Sequence, residues 1–343
     1  MRAGPSKARN TDARAQLRQL LSRAALLATL VGSSFAAERP DWAFFVPSAD
    51  SASLALPETR GTISWRAPGS SRSYSRVQLQ DVFNPPDWYP DEHPAMPAIV
   101  AHGSPPQGKG PPLLPCALCH LPNGAGHVES ASLAGLPAEY IERQFVDWRS
   151  GARKIAVGDG NAIALLTAMK RGYTSAQVRE AAEYFASLKP RHWIRVIETQ
   201  YVPASAIDSQ TLMRLPLSPP RTEPIGMRIV ELPEEPVGLI NRDSHSGFIA
   251  RVPHGSIAAG RTLVNAGAPS MPTCATCHGP KLTGFTTAPP IAGRPPTYTV
   301  RQLWAFQNGE RTAESAAPMR VVIEKLTTRD MLCIAAYLAT LPP

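Results

Sequence analysis

The chain has 343 residues, of which 35 are basic and 27 acidic, giving a formal net charge of +8, and 43 % are hydrophobic. That apolar share supports packed cores and excludes global disorder. Proline, at 36 residues, is about twice its usual share of about 5 %, which disfavours one large regular α/β domain.

Residues 1–37 read as an export leader. Arg2, Lys7, Arg9, Arg14, Arg18 and Arg23 stand against one acid, Asp12. An apolar run over 24–31 follows, and Ser34, Ala36 and Ala37 supply a small-residue cleavage point. The run falls short of the ~20 residues of a spanning helix, and no later segment reaches that length. The expectation is a cleaved signal peptide, a mature chain in the periplasm, and no transmembrane segment. Removing the leader lowers the net charge to +3. The basic excess then reports export, and nucleic acid is not an expected partner.

Residues 38–94 form an N-terminal extension rich in proline and aromatics, among them Trp42, Phe44, Phe45, Trp65 and Trp88. Aromatics need burial, so an ordered but irregular wrap is expected. A unit over 95–190 follows, with a short helix near 96–101 leading into Cys116-Ala117-Leu118-Cys119-His120. C-x-x-C-H is the attachment motif of haem c. Two thiols on one helical turn reach the two vinyl groups of a porphyrin, and the adjacent histidine presents its imidazole to the iron. A middle helix is expected after Pro137, carrying Tyr140, Ile141, Phe145 and Trp148 and ended by Gly151. A last helix starts near Ser175, with hydroxyl residues as caps.

Residues 191–254 form a connector with strand-like stretches over 193–199 and 227–232, punctuated by prolines. The final unit, 255–343, repeats the first plan. A helix over 256–264 leads into Cys274-Ala275-Thr276-Cys277-His278, and a middle helix runs from Pro295 to Gly309. The last helix, over 328–341, has the stripe Met331, Ile334, Ala335 and Leu338 at helical spacing. Cys333 in that helix reads as a small buried apolar residue. With four thiols alkylated by haem, no disulfide is expected.

The two units are a repeat. Shifted by 158 residues, 116–153 aligns with 274–311 without gaps, and 14 of the 38 positions are identical. They include Tyr140/Tyr298, Arg143-Gln144/Arg301-Gln302, Gly151/Gly309 and Arg153/Arg311. A thioredoxin-like thiol pair or half a zinc site could use the same cysteines. The repetition, with matching sequence after each motif, favours two haems.

These residues resemble tandem dihaem c-type cytochromes, with two class I cytochrome c-like domains. The resemblance covers roughly 95–190 and 255–343. It rests on the C-x-x-C-H motifs, the Tyr-x-x-Arg-Gln helix and the final Ala-x-Tyr helix. It implies a mainly α fold with two helical domains, an irregular N-terminal extension and a small β-containing connector. It also implies two covalently bound haem c groups. The expected attachment residues are Cys116, Cys119, Cys274 and Cys277, with His120 and His278 as axial ligands. In the family a methionine from the loop before the last helix completes the iron. That points to Met319, within Ala316-Ala317-Pro318-Met319.

The first unit departs from the pattern, and its nearest methionine is Met169. Either Met169 reaches the iron, or His127, another histidine or an open position takes its place; His127 itself reads as an exposed loop residue. A family-like role for Arg143 and Arg301 is pairing with haem propionates. The implied function is single-electron transfer from a periplasmic dehydrogenase to an oxidase or another cytochrome. A second reading is a dihaem oxidoreductase, using an open or weakly ligated first haem on peroxide or a sulfur compound.

Overall fold

The structure, a computed structural model, describes Met1 and residues 39–47, 50, 51, 54, 64–108, 110–154, 160–208, 212–267, 271–285 and 287–343. The leader read over 1–37 lies, apart from Met1, outside the described residues. The chain divides into two units, Met1–Ala36 and Ala37–Pro343. Everything below concerns the second.

The fold is mainly helical, with short strands in two segments. A ribbon of β1 (Ser64–Trp65) and β2 (Tyr74–Ser75) and a short helix α1 (Arg76–Gln80) belong to the N-terminal extension. The first lobe holds α2 (Ala98–Ala101), α3 (Ala117–His120), α4 (Ala138–Ser150), α5 (Gly160–Met169) and α6 (Ser175–Ser187). The connector carries β3 (Ile194–Glu198), β4 (Tyr201–Pro203), β5 (Ser205–Ile207), β6 (Arg214–Pro216), β7 (Thr222–Pro224), β8 (Val230–Pro233), α7 (Pro236–Ile240) and β9 (Phe248–Val252). The second lobe holds α8 (Ser256–Ala266), α9 (Ala275–His278), α10 (Pro296–Gln307), α11 (Ala317–Ile323) and α12 (Thr328–Ala339).

Local chemistry explains where the repeated helices begin and end. Thr174 and Thr327 cap α6 and α12 through reciprocal side-chain bonds with Gln177 and Asp330, each three residues on. Both middle helices start behind a proline, Pro137 or Pro295, which leaves no N–H to satisfy. Gly151 stops α4 in the left-handed conformation, at φ 86°.

Each lobe buries its own core. Ile99, Val100, Met169, Tyr173 and Phe185 pack in the first lobe, and Val264, Leu303, Met331, Ile334 and Leu338 in the second. In the second lobe α8 crosses α12 at near backbone contact. A Cβ at Gly260 would stand 1.9 Å from the Cys333 carbonyl oxygen, so only glycine fits. Cys333 is buried, as expected of a small apolar residue.

The two expected connector strands form as β3 and β8. They flank β9, parallel on the β3 side and antiparallel on the β8 side. The described residues of the extension pack on the rest of the chain. Phe44 meets Trp304 edge-on at 5.3 Å, and buried Trp88 donates through Nε1 to the Asn241 carbonyl at 2.9 Å. Phe45 and Val128 share an apolar cluster with Ile194, Leu239 and Phe248. Extension, first lobe and connector are thus sealed together by hydrophobic burial. Among the described residues, no helix is long and apolar enough to cross a membrane.

Candidate functional site: two cysteine–histidine turns and the cluster between them

Each motif folds as a single helical turn. The His120 N–H bonds the Cys116 carbonyl at 3.0 Å, and the His278 N–H bonds the Cys274 carbonyl at 2.9 Å. Two sulfurs and one imidazole therefore sit on one turn in each lobe. The Nδ1 of His120 lies 2.8 Å from the Ala131 carbonyl, and the Nδ1 of His278 lies 2.8 Å from the Pro289 carbonyl. A carbonyl only accepts, so each Nδ1 carries the proton and each Nε2 keeps its lone pair. This is the tautomer and orientation that a metal-binding imidazole needs. Burial also pushes both histidines below their ordinary pKa, which keeps them neutral.

The loops that hold these carbonyls match as well. Gly126 and Gly284 each donate to the carbonyl of the motif histidine, at 2.9 and 3.0 Å, with φ of 70° and 93°. A Cβ at Gly126 would fall 2.8 Å from the very Ala131 oxygen that orients His120. Burial raises the Cys116 thiol to about 12 and the Cys119 and Cys274 thiols to about 11. These are neutral thiols, unlike the lowered-pKa thiols of a thioredoxin-like pair. The donor set is thus two thiols and a lone-pair imidazole per lobe, and it fits covalent haem c.

Met319 lies in helix α11 rather than in a loop, because Pro318 sits in the first turn, where proline favours helix. It packs half-buried against the second-lobe core, which also includes Cys274 and Ala275. Met169 ends α5 with 5 % exposure, in the cluster that includes Cys116 and Ala117. Each methionine thus shares an apolar cluster with the motif of its own lobe.

His127 is not an exposed loop residue. It is 3 % exposed, with Nδ1 3.2 Å from Glu129 Oε1 and Nε2 buried without a partner. Its own loop buries it: Gly126 bonds back to the His120 carbonyl, and the Ser130 hydroxyl donates to the Cys119 carbonyl at 2.7 Å. His127 therefore belongs to the loop that orients His120, whereas Met169 approaches from a separate helix.

Arg143 and Arg301, equivalent in the repeat, have unlike surroundings. Arg301 is 2 % exposed and donates to the carbonyls of Ala43, Val128 and Glu129 at 2.8, 3.0 and 3.0 Å. It acts as a strut joining the extension to the first lobe. Arg143 is half-buried; Nη2 reaches the Thr287 carbonyl at 3.5 Å, and Nε is buried without a partner.

The conserved spacing of the repeat has a further result that sequence reading missed. Its identical residues meet across the two lobes. Gln144 Oε1 accepts from Arg153 Nη1 at 3.0 Å and also from Arg311 Nη2. Gln302 Oε1 accepts from Arg311 Nη1 at 3.2 Å and from Arg153 Nη2 at 3.3 Å. The backbones of Arg153 and Arg311 pair antiparallel at the same point. Tyr298 accepts from Arg153 at 3.4 Å. Burial alone would raise its phenol, but Arg153 and Arg311 outweigh burial and hold it below the ordinary range. Arg294, also buried, donates to the Ser132 carbonyl at 2.9 Å and keeps an unpartnered Nε. Among the described residues, no ion pair engages Arg153, Arg294 or Arg311. The signal was present as repeat identity, but identity alone does not tell a shared contact from a shared ligand.

The cytochrome c family model matches residues 257–342. Cytochrome c4 of Azotobacter vinelandii is 25 % identical over 230 residues, covering 65 % of this chain and 82 % of that protein. The thiosulfate dehydrogenase electron acceptor of Thiomonas intermedia is 25 % identical over 233 residues, covering 66 % and 78 %. Cytochrome c-554(548) of Halomonas halodenitrificans is 33 % identical over 73 residues, 21 % of this chain and 88 % of that protein. With two complete attachment turns in one chain, the protein belongs to the cytochrome c family as a tandem dihaem c-type cytochrome that carries two covalently bound haem c groups.

Proposed function

We propose that this protein is a periplasmic carrier that takes single electrons from a dehydrogenase-type donor and passes them to a downstream oxidase or cytochrome. Its relatives are named as cytochromes, and one of them as the electron acceptor of thiosulfate dehydrogenase, which supports electron transfer. The observation that carries the reading is the duplicated turn. Both lobes present two thiols and an imidazole held by a backbone carbonyl at 2.8 Å. In this reading 95–190 and 255–343 are two class I cytochrome c domains, with 38–94 as extension and 191–254 as connector.

Cys116 and Cys119 would anchor one haem and Cys274 and Cys277 the other, with His120 and His278 as iron ligands. Met169 and Met319, each in the apolar cluster of its own motif, would supply the remaining iron ligands. A haem held there would supply one-electron redox chemistry through its iron. The chain supplies attachment, axial ligation and exclusion of water, and methionine–histidine ligation raises the potential. The guanidiniums of Arg153, Arg294 and Arg311, which form no ion pair among the described residues, and the unpartnered Nε of Arg143 supply countercharge for propionates at the meeting of the lobes. Arg301, also expected at the propionates, has Nη1 and Nη2 engaged by main-chain carbonyls.

The test is mass spectrometry of the mature protein, followed by redox titration and carbon monoxide binding. Two covalent haems, two one-electron waves and no gas binding are expected. Absence of the haem mass refutes the reading, and carbon monoxide binding at the first haem refutes Met169 as its ligand.

A further inference from the structure

Glu231, on β8, is a carboxyl with 1 % exposure in the interior of an electron carrier. Its Oε2 accepts from the Thr297 N–H at 3.2 Å and from the Thr297 hydroxyl, in the first turn of α10. Its Oε1 is buried with no partner. The charged groups that face it are Arg301 from α10 and Arg214 from β6. Across the sheet β9 presents Ala250. Arg228 and Glu223 lie beyond Arg214, and Glu129 lies beyond Arg301.

Neither arginine hydrogen bonds to Glu231. Arg301 is committed to the Ala43, Val128 and Glu129 carbonyls, and Arg214 reaches Ser205. A buried carboxylate with one oxygen unsolvated is costly. Protonation removes that cost and leaves Oε2 or Oε1 to carry the hydrogen. Arginine does not titrate here, so Glu231 is the group of the cluster that can change charge.

The cluster is joined to the redox site by covalent and hydrogen-bonded neighbours. Arg301 grips residues 128 and 129, and the same loop delivers the Ala131 carbonyl to His120. We propose that Glu231 is a proton-binding site linked to reduction of a haem, so that this carrier takes up a proton with its electron. One electron comes from the donor and one proton from solvent, and the carboxylate becomes a carboxylic acid. On oxidation the electron leaves to the acceptor and the proton returns to solvent. The physical coupling is charge balance: added negative charge in a low-dielectric interior favours protonation of a buried acid whose charge has no ion-pair partner. Burial lifts the carboxyl to about 7 against the opposing pull of Thr297, Arg301 and Arg214, which places the exchange near neutral pH.

The inference rests on the electron-carrier reading. Its experiment is spectroelectrochemical titration of the fully haem-loaded protein over about one pH unit either side of 7. One of the two potentials falls as pH rises. A tenfold change in proton concentration moves it by up to about 59 mV, the one-electron equivalent of a tenfold equilibrium shift. Glu231→Gln loses that dependence and keeps both haems. Redox-difference infrared spectra of the wild type gain a protonated-carboxyl band on reduction, which tests the site even if the variant fails to fold. Potentials flat with pH in the loaded protein, an undiminished slope in E231Q, or no carboxyl band overturns the inference. A missing haem mass would instead overturn the carrier reading.

Discussion

Replacing Gly260 with alanine tests whether backbone contact sets the crossing of α8 on α12. The added Cβ would lie 1.9 Å from the Cys333 carbonyl oxygen, 2.5 Å from its carbon and 2.9 Å from Tyr337 Cβ. Ordinary contact begins at 3.4 Å, so the helices must part there by about 1.5 Å. The obstacle is main chain and cannot rotate away. Overpacking costs about 1–3 kcal/mol, and an obstacle of this kind belongs at the upper end. Better helix propensity returns about 1 kcal/mol. The balance is a destabilisation of about 2 kcal/mol, or about 4 °C at the lower sensitivity of larger chains. Thermal unfolding followed by circular dichroism measures it. Gly151→Ala is the comparison, since φ there is +86° and nothing lies within 4 Å. It tests left-handed strain alone, about 1 kcal/mol. If G260A melts at or above the wild type, the close crossing does not constrain the lobe and the reasoning fails.

Met319→Leu conserves volume and removes the thioether. The protein stays folded, one haem loses its methionine charge-transfer band and its potential falls, while the other haem is unchanged. Unaltered optical spectra at both haems would exclude Met319 as a ligand. Gln144→Ala removes the acceptor shared by Arg153 and Arg311. One donor of half-buried Arg153 and one of buried Arg311 lose their acceptor, and chemical denaturation should report a loss of about 2–3 kcal/mol; a change under about 0.5 kcal/mol would mean the cluster does not hold the lobes. Trp88→Phe keeps the ring and gives up the bond to the Asn241 carbonyl, for about 1 kcal/mol. Trp88→Ala also opens a cavity and costs about 3–5 kcal/mol. Equal midpoints for the two variants would refute a packing role for the ring.

What could be read from the sequence was whatever is local. Each C-x-x-C-H is one turn, and Thr174-x-x-Gln177 and Thr327-x-x-Asp330 state their caps within four residues. The prolines before both middle helices and the stripe of the last helix belong to the same class. What escaped depends on distant partners. His127 has a polar side chain in a loop, and only the return of that loop onto its own motif buries it. Met319 reads as a loop residue, yet it lies in α11, where it and Val322 pack on the second-lobe core. Arg143 and Arg301 are equivalent by repeat spacing, but Ala43, from a segment outside the repeat, gives Arg301 a carbonyl that Arg143 lacks. The acceptors that orient His120 and His278 are main-chain oxygens of unlike residues, alanine and proline. Side-chain identity carries no trace of such a match.

The parallel pairing of β3 with β9 bears on how the chain could have grown. Glu198 stands beside Val252, and the Thr199 N–H bonds the Val252 carbonyl at 2.9 Å. The two strands run in the same direction one strand spacing apart, about 4.8 Å. A shorter ancestor that passed from Glu198 straight to Pro253 would need only that sideways step to enter α8. The intervening 54 residues could then be acquired or lost while the two haem units keep their mutual register. The two ends of that segment meet as neighbouring strands, so the connector closes on itself between the two haem units.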